Sequence, residues 1–171
     1  MKATLFKTTA AVAMIGLAAP AVAEDKSGEK FRAELTGDAQ VPDPVETDTR
    51  GDFRLAYDDF DNMATYRIRL NDGNRVFMAH IHCAAEGQNG PIAVWLAGAP
   101  PSPLGWEVNG KWIDNATFTD ADVVGTDCGN SLQELMQAMR EGRTYVNVHT
   151  RQNPGGEVRG QIRPQRKYKH W

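Results

Sequence analysis

Three of the chain's four histidines have the spacing of a metal site. His80 and His82 are separated by one residue, and His149 ends the run Tyr145-Val146-Asn147-Val148-His149. Side chains at i and i+2 of a strand point to one face, so His80 and His82 project together. The same rule sets Ile81, with Phe77 and Ala79, on the opposite face, toward a core. In the later run Tyr145, Asn147 and His149 share a face, and Val146 and Val148 take the other. If the two strands approach each other, three imidazoles converge. Imidazole suits copper, zinc, nickel or iron. An isolated His-x-His pair is more often two hydrogen-bonded histidines than a ligand pair; the third histidine matters because a metal site needs ligand count as well as ligand type.

Other chemistries find little footing. There is no nucleophile elbow, no phosphate-binding glycine loop and no paired-cysteine zinc motif. Asp58, Asp59 and Asp61 lack the spacing of a calcium loop and read as a solvated turn. His170, beside Trp171, falls in a basic tail over residues 165–171, where a frayed end is expected rather than a fourth ligand.

The elements that must position these histidines are short and extended. Phe31 to Leu35, Asp52 to Tyr57, Met63 to Leu70, Val76 to Cys83, Ile92 to Leu96, Tyr145 to Thr150 and Glu157 to Arg163 read as strands between turn residues. Asn71-Asp72-Gly73-Asn74 is expected to close the third of these. Trp106 to Ile113 is expected to form a hairpin around Asn109-Gly110. Ala97 to Gly105, rich in proline and glycine, reads as a loop. One helix is expected over residues 131–140: Ser131 can cap it with Glu134 three residues on, and Leu132, Leu135, Met136 and Met139 form one apolar stripe. The pattern predicts an antiparallel β-sandwich or Greek-key barrel with one short helix, spanning residues 31–164.

The N-terminus reads as an export signal. Lys2 and Lys7 precede an apolar run that ends in Ala21-Val22-Ala23, so residues 1–23 are expected to be a cleaved signal peptide and residues 24–30 a linker. The apolar run is shorter than the roughly 20 residues that a membrane span needs. The expected location is therefore periplasmic or secreted, with no membrane insertion after cleavage. Of 19 Lys+Arg and 22 Asp+Glu, cleavage removes Lys2 and Lys7, leaving 17 positive and 22 negative side chains and a formal net of −5. That balance argues against a nucleic-acid partner. In an exported chain, two cysteines, Cys83 and Cys128, suggest one disulfide.

Ala33-Glu34-Leu35-Thr36-Gly37, with Val41-Pro42-Asp43-Pro44 and Gly51, resembles the opening of the CHRD (chordin-type) domain. Ala79-His80-Ile81-His82 with Asn89-Gly90-Pro91-Ile92 is similar to its central motif. Tyr145 to Thr150 and Asn153-Pro154-Gly155-Gly156-Glu157-Val158-Arg159-Gly160-Gln161-Ile162 resemble its closing motif, the most specific part. A second resemblance is to the copper site of Cu/Zn superoxide dismutases: the His80-Ile81-His82 strand, His149, the glycine-rich turn leading to Arg159, and Cys83 and Cys128 as a loop-tethering disulfide. No histidine matches the bridging ligand of those enzymes and no zinc site is evident.

Two functions are expected from this. In one, His80, His82 and His149 bind a single copper ion, and Arg159, a fixed positive charge beside it, attracts superoxide. Arg159 follows His149 by ten residues, and the Pro-Gly-Gly turn between them should fold its strand back alongside. In the other, the chain is a metal-free extracellular binding or structural module, with Trp95, Trp106 and Trp112 as core or contact surface and a protein partner left unidentified.

Overall fold

A computed structural model describes residues 28–98 and 105–165. The expected signal peptide, most of the linker and nearly all of the basic tail, His170 included, lie outside these residues. Eight strands are present: β1 (Glu29–Leu35), β2 (Arg50–Asp58), β3 (Met63–Cys83), β4 (Ile92–Ala97), β5 (Trp106–Phe118), β6 (Thr144–Thr150), β7 (Val158–Gln161) and β8 (Arg163–Pro164). One α-helix, α1 (Leu132–Arg140), precedes β6. All strand pairings are antiparallel, as the alternating patterns predict.

The 21-residue β3 organises the sheet. Its first half pairs with β2 on one edge and β5 on the other. Its second half pairs with β6 and β4. Val76 sits between Trp106 of β5 and Thr150 of β6, so β2 and β6 follow one another along the same edge. The sheet then curls: β1 meets Arg163 and Pro164 of β8, and Thr36 meets Arg159 of β7 in the same register. The result is a nearly closed barrel, in keeping with the expected class.

Three local expectations change. Asn71–Asn74 does not end a strand. β3 bends there, with Asp72 and Arg75 at positive φ (56° and 51°), and continues. Asn109-Gly110 does not turn a hairpin, because β5 runs through it as one strand along β3, with register shifts absorbing the Gly110 irregularity (φ 117°). The last expected strand splits at Ile162, whose fully buried side chain separates β7 from β8. In the first two cases a long partner strand supplies backbone hydrogen bonds that local turn preference does not foresee; in the third, β7 pairs with β6 and β8 with β1.

The core follows the alternation. Phe31, Ala33 and Leu35 of β1, Phe53 and Leu55 of β2, Tyr66, Ile68 and Leu70 of β3, and Val146 and Val148 of β6 point inward. Helix α1 closes one end through Leu132, Leu135, Met136 and Met139. Ser131 caps it as expected, its hydroxyl accepting from the Glu134 N–H at 3.3 Å. A Cys83–Cys128 disulfide joins the end of β3 to the segment before α1. No helix among the described residues is long and apolar enough to cross a membrane.

Candidate metal centre

Strand pairing brings the three histidines together. His80 lies opposite Asn147, His82 opposite Tyr145 and Met78 opposite His149. The histidine face of β3 and β6 is the outer face of the barrel, and the connections at residues 36–49, 84–91 and 151–157 cover it. His80 is 2% exposed and His149 6%. One nitrogen from each of His80, His82 and His149 falls in a set whose members all lie within 4.8 Å of one another. Ligands about 2.0–2.1 Å from one ion lie roughly 3.3–3.6 Å from one another in trigonal or tetrahedral geometry, so the widest pair must close by up to roughly 1.5 Å. This is the only such group of three or more His, Cys, Asp or Glu among the described residues; the aspartates at 58–61 form a turn in which Asp58 accepts from the Phe60 and Asp61 N–H groups.

Two of the rings are oriented from behind. His82 Nδ1 donates to the Gly90 carbonyl at 2.9 Å, and His149 Nδ1 donates to the Pro154 carbonyl at 3.0 Å. Each bond fixes the tautomer with its Nε2 lone pair free, the arrangement that metal-binding histidines use. His80 Nδ1 then faces His149 Nε2 at 3.1 Å. If His80 carries its proton on Nδ1, its Nε2 lone pair is buried with no donor. If the proton is on Nε2, two lone pairs face each other. His80 Nε2 and His82 Nε2 are both buried without a hydrogen-bond partner. Orphaned buried polar atoms are rare, and a cation among the three rings would satisfy them.

The electrostatics keep the imidazoles neutral. Burial first, then the neighbouring His149 and His82, push His80 down to about 3. Burial also lowers His82, with the Arg159 charge adding to it against the Gly90 hydrogen bond. Burial lowers His149 against the Pro154 bond, with His82 contributing. Neutral imidazole is the form that binds metal.

Arg159 lies on β7 beside β6, as the Pro-Gly-Gly turn predicts, but it is 2% exposed. Its guanidinium stacks on the Tyr145 ring, 3.5 Å from the centroid. Its two terminal nitrogens donate to Asn89 Oδ1 (2.8 Å) and the Gln88 carbonyl (2.7 Å). Tyr145, on the strand between, stacks in turn on His82, with centroids 4.8 Å apart and planes 7° apart. Arg159 therefore meets the histidines through Tyr145, not by direct contact, and it does not pair with Glu157.

Glu157 has a separate place. Its carboxylate accepts from the Thr47, Thr49 and Thr150 hydroxyls and from the Asn153 amide. It ties the 37–49 connection to the turn that carries Pro154. Gln40 donates to Asn147 Oδ1 at 2.8 Å, a second tie across the same seam.

Phe77 departs from expectation. A register slip between Val76 and Met78 changes the alternation, so Phe77 sits against His149 (6.5 Å between rings) rather than in the core. Trp95 of β4, opposite His80, packs its ring 4.3 Å from that imidazole and remains 39% exposed. Trp112 packs against the core, and Trp106, more exposed, lies beside it with ring centroids 5.9 Å apart and planes tilted by 50°. Tyr145 was legible as a companion of His149 from the period-two rule. Asn89 falls within the Asn89-Gly90-Pro91-Ile92 motif, but no periodicity or turn signal foretells that Gln88 and Asn89 touch Arg159 across some 70 residues.

The CHRD-domain family model matches residues 31–162. No curated protein and no solved structure matches the chain.

Proposed function

The chain belongs to the CHRD-domain family, and from that premise we propose that it is an exported module that binds one copper ion through His80, His82 and His149. The observation that carries this is the convergence of one nitrogen from each of three imidazoles, in a cluster where His80 Nε2 and His82 Nε2 are buried without a hydrogen-bond partner. CHRD domains occur in extracellular proteins, which supports a periplasmic or secreted location together with the signal-like residues 1–23. Copper is preferred to zinc because an imidazole site ranks it highest among the divalent first-row ions and because the His-x-His strand resembles a copper-ligand strand.

Dismutation of superoxide is the reaction proposed for the loaded protein: copper, when bound, supplies a centre that cycles between two oxidation states. Arg159 supports it through its charge, which reaches His82 across the Tyr145 ring and favours a small anion near the site. With both terminal nitrogens already committed, Arg159 acts on the site as a positioning and electrostatic residue rather than by contact.

Metal analysis of protein purified from the periplasm tests the binding: one copper per chain is expected, and none after His80→Ala. Protein that holds no metal above the His80→Ala background would leave the metal-free module as the function. The reaction is tested apart from binding, by comparing copper-loaded protein with an equal amount of copper on an unrelated protein in a superoxide assay. Equal rates would remove the dismutase activity and leave copper binding standing.

A further inference from the structure

Four arginines form one row across four neighbouring strands, away from the histidines. Register sets Arg163 opposite Arg32, Arg32 opposite Arg54, and Arg54 opposite Arg67. Their neighbours Phe31, Phe53, Ile68 and Ile162 are buried, so all four arginines lie on the outer face. At about 4.8 Å per strand, the row spans roughly 14 Å.

Like charges directly opposite on adjacent strands are destabilising, so the row costs the fold stability. Acids offset only part of it. Asp52 lies 3.2 Å from Arg54 and 3.6 Å from Arg67, and Glu86 lies 2.7 Å from Arg163. Arg32, in the middle of the row, makes no ion pair among the described residues. Arg67 Nε is buried without an acceptor. Arg163, Arg32 and Arg54 line a concave groove whose walls add Arg50, Arg69, Glu34, Asn71 and Gln161.

We infer that this groove binds a linear anionic polysaccharide, a chain that carries carboxylate or sulfate groups among hydroxyls. The guanidinium row matches a repeating anion, because arginine pairs such groups in a bidentate way. The carboxylates and amides between the arginines match sugar hydroxyls, which donate as well as accept. A nucleic acid is disfavoured because the groove presents no exposed aromatic ring on which bases would stack. The binding is local, since the mature chain is acidic overall.

The test is calorimetric titration with size-defined polygalacturonate (carboxylate only) and dextran sulfate (sulfate only), at two salt concentrations. Neutral dextran and a single-stranded oligonucleotide of equal charge are the controls. Saturable, salt-weakened binding to one of the anionic chains is expected, and which one identifies the anion. Arg32→Gln/Arg54→Gln should weaken it roughly tenfold or more, a loss of at least one charged contact. Arg75→Gln, at the bend of β3 outside the groove, should leave it unchanged. Both arginines of the double variant are exposed and face each other across the strands, so the melting temperature should not fall and should rise slightly if the like charges repel. Should the double variant fail to fold, Arg32→Gln alone is measured, at the position with no acidic partner. No binding to either polymer at low salt would overturn the assignment. So would variants that bind as wild type, or tighter binding of the oligonucleotide.

Discussion

His80 Nδ1 and His149 Nε2 lie 3.1 Å apart although 69 residues separate them in the chain. Nothing local holds this contact. It exists because β6 pairs along the second half of β3 and because the Pro154 carbonyl turns the His149 ring toward β3. Removing the turn's support should therefore affect the site before it affects the barrel.

Glu157 is that support. Its carboxyl is held below the usual carboxylate range: burial raises it, but the hydrogen bonds from Asn153, Thr47, Thr150 and Thr49 together outweigh burial. A carboxylate depressed on folding contributes stability that is fully present above its ordinary value of 4.5 and is lost as pH falls through the lower, folded value. Glu157→Gln should cost about 1–3 kcal/mol at neutral pH and flatten the loss of stability below pH 4.5. Denaturant melts of both proteins between neutral pH and acid would show this. Parallel acid profiles would deny Glu157 the role.

Arg159→Lys tests the stack on Tyr145. Lysine keeps the charge but loses the planar face and the paired contacts to Asn89 and Gln88. A loss of about 2–3 kcal/mol is expected, in the range of hydrogen bonds to charged groups, with weakened metal binding because Tyr145 no longer holds the His82 ring. Unchanged stability together with unchanged metal affinity would reduce Arg159 to a spectator.

The disulfide should matter to the site as well as to the fold. Cys83 follows His82 directly, and its bond to Cys128 closes a separation of 45 residues. The chain-entropy model gives about 4 kcal/mol for a loop of this length. Cys83→Ser/Cys128→Ser should lower the melting temperature by an amount consistent with that loss, and thiol titration of unreduced, denatured wild-type protein should find no free sulfhydryl.

Gly156 is required by the conformation of the turn. Its φ of 139° is open mainly to glycine, and a Cβ there would lie 2.6 Å from Asn147 Nδ2 and 2.7 Å from Gln40 Nε2. Gly156→Ala should break the Gln40–Asn147 tie. The expected readout is loss of amide hydrogen-exchange protection in the 37–49 connection, with β1 and β2 unaffected.

Much of this was legible beforehand, and the parts that were not share a cause. The shared face of His80 and His82 and the company of Tyr145 and Asn147 with His149 follow from a period of two, and the cap at Ser131 follows from its spacing to Glu134. The position of Arg159 beside β6 follows from a turn. Its burial does not, because the residues that cover it, Gln88 and Asn89, arrive from another connection. Phe77 was assigned to the core by alternation, and a single register slip after Val76 moved it to the histidine side. Asn109-Gly110 carried a strong hairpin signal, but the long edge of β3 held β5 straight. Local rules placed residues on faces; long-range pairing decided which faces were covered.

The most direct test is a copper(II) titration of the purified protein followed by electron paramagnetic resonance, run beside His80→Ala, His82→Ala and His149→Ala. The expected result is one saturable copper per chain whose spectrum carries imidazole nitrogen couplings, with each substitution weakening or abolishing that signal. Wild-type protein with no saturable signal, or a signal that survives all three substitutions unchanged, would contradict a metal centre at these histidines.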